Sequence, residues 1–138
     1  MIPVPPLLLL AWLALLSPAR QSSTSWAWFR ATSVIDKWWI TEGRARVTIE
    51  GNTFRAALWD SDDTTFARVS LEGSIQSTSV TVTVTVNATD LEPYRASGKL
   101  TRACWKQGGG RETIILTSGF DAIGLVREFP RTSPCAGA

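Results

Sequence analysis

The chain has 138 residues, with 14 basic against 12 acidic side chains, a net charge of +2 and no histidine. That length suits one domain with its own core, and the dispersed, nearly balanced charge argues against a nucleic-acid partner. Without imidazole the chain lacks the commonest general base, the commonest metal ligand and every Ser/His or Cys/His nucleophile pair, so no cofactor is expected and catalysis is disfavoured.

Met1 to Ala19 carries no charged side chain, and the apolar run Leu7 to Leu16 ends at Ser17-Pro18-Ala19. Small residues after a short apolar run predict a signal peptide over 1–19 and a secreted or periplasmic protein. A spanning helix needs roughly 18 or more apolar residues, so no membrane span is expected after cleavage. The polar stretch next to it predicts a linker or irregular segment over 20–32. Ser33, with Asp36 three residues on, predicts a helix start, because the two side chains can satisfy free backbone N–H groups there. Trp38-Trp39-Ile40 is bulky and suited to a strand, and Gly43 separates it from the segment that begins at Arg44.

Two hairpins are written in the pattern of apolar residues. Arg44 to Glu50 puts Ala45, Val47 and Ile49 on one side, and Thr53 to Trp59 does the same with Phe54, Ala56 and Leu58. The intervening Gly51-Asn52 favours a two-residue primed turn, which sets Ile49 opposite Phe54, Val47 opposite Ala56 and Ala45 opposite Leu58. Trp59 then points outward beside Arg44. Further on, Ala67 to Ile75 and the strictly alternating Val80 to Val86 close around Gln76-Ser77-Thr78-Ser79, with Ile75 opposite Val80, Leu71 opposite Val84 and Val69 opposite Val86. A slip of one residue would turn every valine outward, so burial specifies the register. Gly73 faces Val82 in this pairing and marks a bend or a close approach of backbones.

Between the hairpins, Asp60-Ser61-Asp62-Asp63 gathers carboxylates that calcium could use, but the glycine and distal glutamate of an EF-hand loop are missing, so it reads as a solvated turn. Asn87-Ala88-Thr89 fits a glycosylation acceptor if the source is eukaryotic. Tyr94 to Trp105 is extended, with Gly98 as a second bend. Gly108-Gly109-Gly110 reads as a flexible loop, Arg111 and Glu112 as opposite charges that cancel, and Ile114-Ile115-Leu116 as a run buried on both sides. Asp121 to Arg127 is the last strand.

Seven strands, or eight if Trp38 to Ile40 pairs, joined by short turns predict an all-β, antiparallel up-and-down barrel over 33–130; a β-sandwich is the alternative. The organisation resembles lipocalin-like and avidin-like barrels in architecture alone, since no Gly-x-Trp opens the first strand.

Cys104 and Cys135 are the only cysteines. In an exported chain they predict a disulfide that ties the tail, 131–138, back to the Tyr94 strand. Of the seven tryptophans, Trp12 lies in the leader. The others either plug the barrel or form a binding surface, with Trp38, Trp39, Trp59 and Trp105 as the candidates for ligand contact. These features predict a non-catalytic module that binds a small apolar or sugar-like ligand in the barrel mouth. The alternatives are an envelope protein-interaction or inhibitor module, and then a carboxylate-based hydrolase.

Overall fold

The computed structural model of the protein describes residues 24–35, 38–62, 65–132 and 135, without the side chains of 38–42. The segment expected as a signal peptide, 1–19, together with Asp36, Asp63 and most of the tail expected as 131–138, lies outside the described residues. Eight antiparallel strands succeed one another in chain order and close into a barrel: β1 (Thr24–Ile35), β2 (Trp38–Glu50), β3 (Thr53–Asp60), β4 (Val69–Gln76), β5 (Ser79–Val86), β6 (Tyr94–Cys104), β7 (Gly110–Ser118) and β8 (Asp121–Phe129).

Both hairpins hold the register their apolar residues dictate. Ile49, Val47 and Ala45 face Phe54, Ala56 and Leu58 across β2 and β3. Ile75, Gly73, Leu71 and Val69 face Val80, Val82, Val84 and Val86 across β4 and β5. The turn at Gly51 has a φ of 59°, the positive value that a primed turn requires. Gly98 marks a close approach of backbones: a Cβ there would sit 1.6 Å from the Ile115 carbonyl oxygen, so β6 and β7 approach more closely than any other residue allows.

Along each strand alternate side chains point inward, and the lumen is filled by Phe54, Leu58, Leu71, the β5 valines, Ile114, Leu116, Ile123 and Leu125, all buried. Burying apolar area at about 25 cal/mol per Å² makes this packed interior the main stabilising term. The outer face carries arginine, threonine, lysine and glutamate, the reverse of a barrel that spans a bilayer. Among the described residues no helix is long and apolar enough to cross a membrane.

Five expectations are corrected. The segment read as linker, 20–32, holds most of β1 from Thr24 onward, and Ser33 is a buried strand residue instead of a helix cap. Gly43 does not end the strand: β2 runs through it and pairs with β1 as far as Trp39 opposite Val34 and Trp38 opposite Ile35, but the pairing breaks register beside Gly43, which stands opposite Ala31, and resumes at Ile40 opposite Ser33. The eighth strand is therefore β1. Ile115 is 54% exposed while its neighbours Ile114 and Leu116 are buried, so β7 alternates after all. Gly110 is not a loop residue: it opens β7 opposite Cys104, and a Cβ on it would meet the Ala103 carbonyl oxygen at 2.3 Å.

Candidate functional site at the barrel seam

The barrel is closed by its first and last strands, and that joint is incomplete. β1 pairs with β8 only from Arg30 opposite Val126 to Val34 opposite Ala122. Below it, Thr24–Phe29 is held by β2 alone among the described residues. The consequence shows in burial. Ser25 and Ala27 share the inward parity of buried Phe29 and Ala31, yet Ser25 is exposed and Ala27 only half-buried. A pocket of about 50 Å³ opens there, lined by residues that include Ala27, Phe29, Ile49, Leu100, Glu112 and Arg127.

On the outside of the same segment, indoles and guanidiniums interleave. Trp26 and Trp28 are 56% and 45% exposed. Arg46 lies over Trp26 at 4.7 Å from the ring centre and Arg44 over Trp28 at 4.8 Å. Trp59 leans on Trp28 with ring centres 5.8 Å apart. The pattern arises from the hairpin geometry: β1 and β2 put Trp28 opposite Arg46 and Arg30 opposite Arg44, so diagonal neighbours bring each cation over a ring. Among the described residues neither Arg44 nor Arg46 has an acidic partner.

Inside the mouth sits a charged cluster. Glu112 is 3% exposed and accepts hydrogen bonds from Arg102 through one carboxylate oxygen, Nε at 3.0 Å, and from Arg127 through the other, Nε at 2.9 Å. Both guanidiniums also lie over aromatic rings, Arg102 over Phe129 and Arg127 over Phe29 and Phe129. Charge-assisted bonds to both oxygens offset the cost of burying a carboxylate. Arg111 does not cancel Glu112. It points outward and shares Glu128 with Arg30. The strand parity carried the signal: Glu112 aligns with Ile114 and Leu116, Arg127 with Leu125, and Arg102 with Leu100.

The expected site residues do not converge. Trp59 belongs to the outer indole group. Trp38 and Trp39 lie at the start of β2, near the end of the barrel away from the seam opening, and their side chains lie outside the described residues. Trp105 comes directly after β6 in the turn it makes with Gly109, whose carbonyl accepts the Trp105 N–H at 2.9 Å, and is 48% exposed there, apart from Trp59. Trp26 and Trp28 were one class of aromatic among several in the sequence; only the pairing with β2 shows that arginines cover them.

Cys104 and Cys135 form a disulfide, which fits an oxidising extracellular or periplasmic setting. The Asn87 amide donates both to the Ala67 carbonyl at 2.8 Å and to the Ser70 hydroxyl at 3.1 Å, and so clasps the end of β5 to the start of β4. Asp60 accepts the Asp62 N–H at 3.0 Å in a local turn. Among the described residues no three acidic, cysteine or histidine side chains gather as a metal site. At the far end of the lumen the Tyr94 hydroxyl is buried without a hydrogen bond of normal geometry. Burial first, and the nearby Asp121 carboxylate second, push its pKa well above the usual phenol range.

No known family model matches the chain, and no curated protein is significantly similar to it. Fold and site together define it by class alone: an eight-stranded antiparallel barrel with a filled lumen, a partly open seam and an aromatic-cationic outer face.

Proposed function

We propose that this protein is a secreted or periplasmic, non-catalytic interaction module that engages a partner protein through the outer face of β1 to β3 and the adjoining seam. The observation that carries this reading is the exposure of Trp26 and Trp28 beneath two arginines without acidic partners among the described residues. Tryptophan and arginine are the side chains most enriched where binding energy concentrates at protein interfaces. A small ligand in the mouth finds weaker support, because small-molecule sites run to roughly 300–1,000 Å³ and the seam pocket, about 50 Å³, has room for one or two waters. A hydrolase finds less still. Both oxygens of Glu112, the buried carboxylate nearest that pocket, are already bonded to arginines.

The test compares the wild type with Trp26→Ser/Trp28→Ser as baits in the envelope fraction or culture fluid of the native source. A specific partner captured by the wild type and lost by a variant of unchanged melting temperature supports the reading. Equal capture by both refutes it.

A further inference from the structure

We infer that the open edge of β1, Thr24–Phe29, receives an extended segment of the partner by β-strand addition, and that this segment is acidic on its outward side. The inference rests on the interaction-module reading and names the partner's chemistry. β1 pairs with β2 on one side over this stretch, and its pairing with β8 begins only at Arg30. Alternate residues of an edge strand direct N–H and C=O groups away from the sheet, so these six residues present about three pairing positions.

Protein edges are ordinarily protected from such pairing by charge, proline or a bulge. Thr24-Ser25-Trp26-Ala27-Trp28-Phe29 has neither charge nor proline, and the register shift of β1 comes later, between Ala31 and Ser33. Among the described residues the stretch is therefore unprotected where it is unpaired. An added strand would alternate its own side chains, one set toward the apolar wall formed by Ala27, Phe29, Ile49 and Leu100, the other toward the Trp–Arg face.

Charge selects the occupant. Arg102 and Arg127 share Glu112, Arg30 and Arg111 share Glu128, and Arg44 and Arg46 have no acid among the described residues. The seam thus presents an excess of guanidinium on both of its faces. A second copy would bring like charges together across a β1–β1 pair, and the first 23 residues of this chain contain one arginine and no acid. Neither fits as an acidic strand does.

The full chain is titrated with a short peptide of alternating valine and glutamate, with its valine–lysine counterpart, and with the glutamate peptide N-methylated at every second residue. Tryptophan emission reports binding, and backbone hydrogen exchange locates it. The expected result is binding of the glutamate peptide alone, with protection confined to Thr24–Phe29. Arg44→Gln/Arg46→Gln should weaken it by up to about 25-fold, roughly fivefold per exposed charge. Equal binding of the lysine or N-methylated peptide, protection elsewhere, no binding of any peptide, or a stable dimer that excludes the peptide would each overturn the inference. If the peptides fail while Trp26→Ser/Trp28→Ser still loses its partner, strand addition alone falls. If that variant captures normally, the interaction-module reading falls with it.

Discussion

Glu112→Gln isolates the charged cluster in the barrel mouth. The carboxylate is 3% exposed and neutralised by Arg102 and Arg127, whose side chains are 27% and 30% exposed. Each contact near 3 Å is worth roughly 5 kcal/mol of Coulomb attraction at an effective dielectric of 20, before desolvation takes most of it back. Removing the charge strands two guanidiniums, Arg127 against Phe29 and Phe129 and Arg102 against Phe129. Breaking a fully buried pair costs about 3–5 kcal/mol. Here the arginines can turn partly toward water, so the expected loss is about 2–3 kcal/mol, or roughly 8–12 °C in Tm for a domain of this size. Urea unfolding read by tryptophan emission and by far-UV circular dichroism measures it. Arg102→Met/Glu112→Leu/Arg127→Met should regain most of the loss, because a matched apolar set leaves no charge uncompensated. A loss below about 1 kcal/mol for Glu112→Gln, or a triple variant less stable than the single one, would refute the electrostatic account.

Reducing the Cys104–Cys135 bond, which closes a separation of 31 residues, should cost about 3.5 kcal/mol by loop entropy, seen as a fall in the urea midpoint on adding reductant; an unchanged midpoint would contradict it. Gly98→Ala places a methyl 1.6 Å from the Ile115 carbonyl oxygen and should cost more than about 3 kcal/mol or abolish folding, whereas Gly51→Ala, where a Cβ meets nothing within 4 Å, should cost about 1 kcal/mol from its positive φ alone. Tyr94 titrates higher in the folded chain than in the unfolded one, so its contribution is whole below the unfolded pKa near 10 and falls as pH rises beyond it, by at most about 1.4 kcal/mol per pH unit. Tyr94→Phe should remove that part of the alkaline loss and leave neutral stability unchanged or raised, and denaturation at pH 8 and 11 compares the two.

Legibility in the chain was confined to whatever the apolar period and a local turn specified together. The β2–β3 and β4–β5 registers were legible because apolar side chains occupy one parity and two-residue turns fix the offset. β1 was not, because its contrast is inverted: its inward residues include Ala27, Ala31 and Ser33, and its outward ones Trp26 and Trp28. Bulk on the outside and small residues inside look like no amphipathic strand. The seam was invisible for a different reason. No turn links β1 to β8, so nothing local sets where their pairing stops. Glu112 was the nearest miss, since strand parity alone places it inside once β7 is given its register.

Closing a barrel through its terminal strands also dictates an order of events. Arg30 meets Val126 and Val34 meets Ala122, across almost the whole length of the domain, through five residue pairs against eight between β2 and β3. Hairpins join neighbours in the chain and can form early, while this joint must wait for the last strand and carries the largest loss of chain freedom. It is therefore the natural final step of folding, and the first place where the wall parts when the barrel breathes.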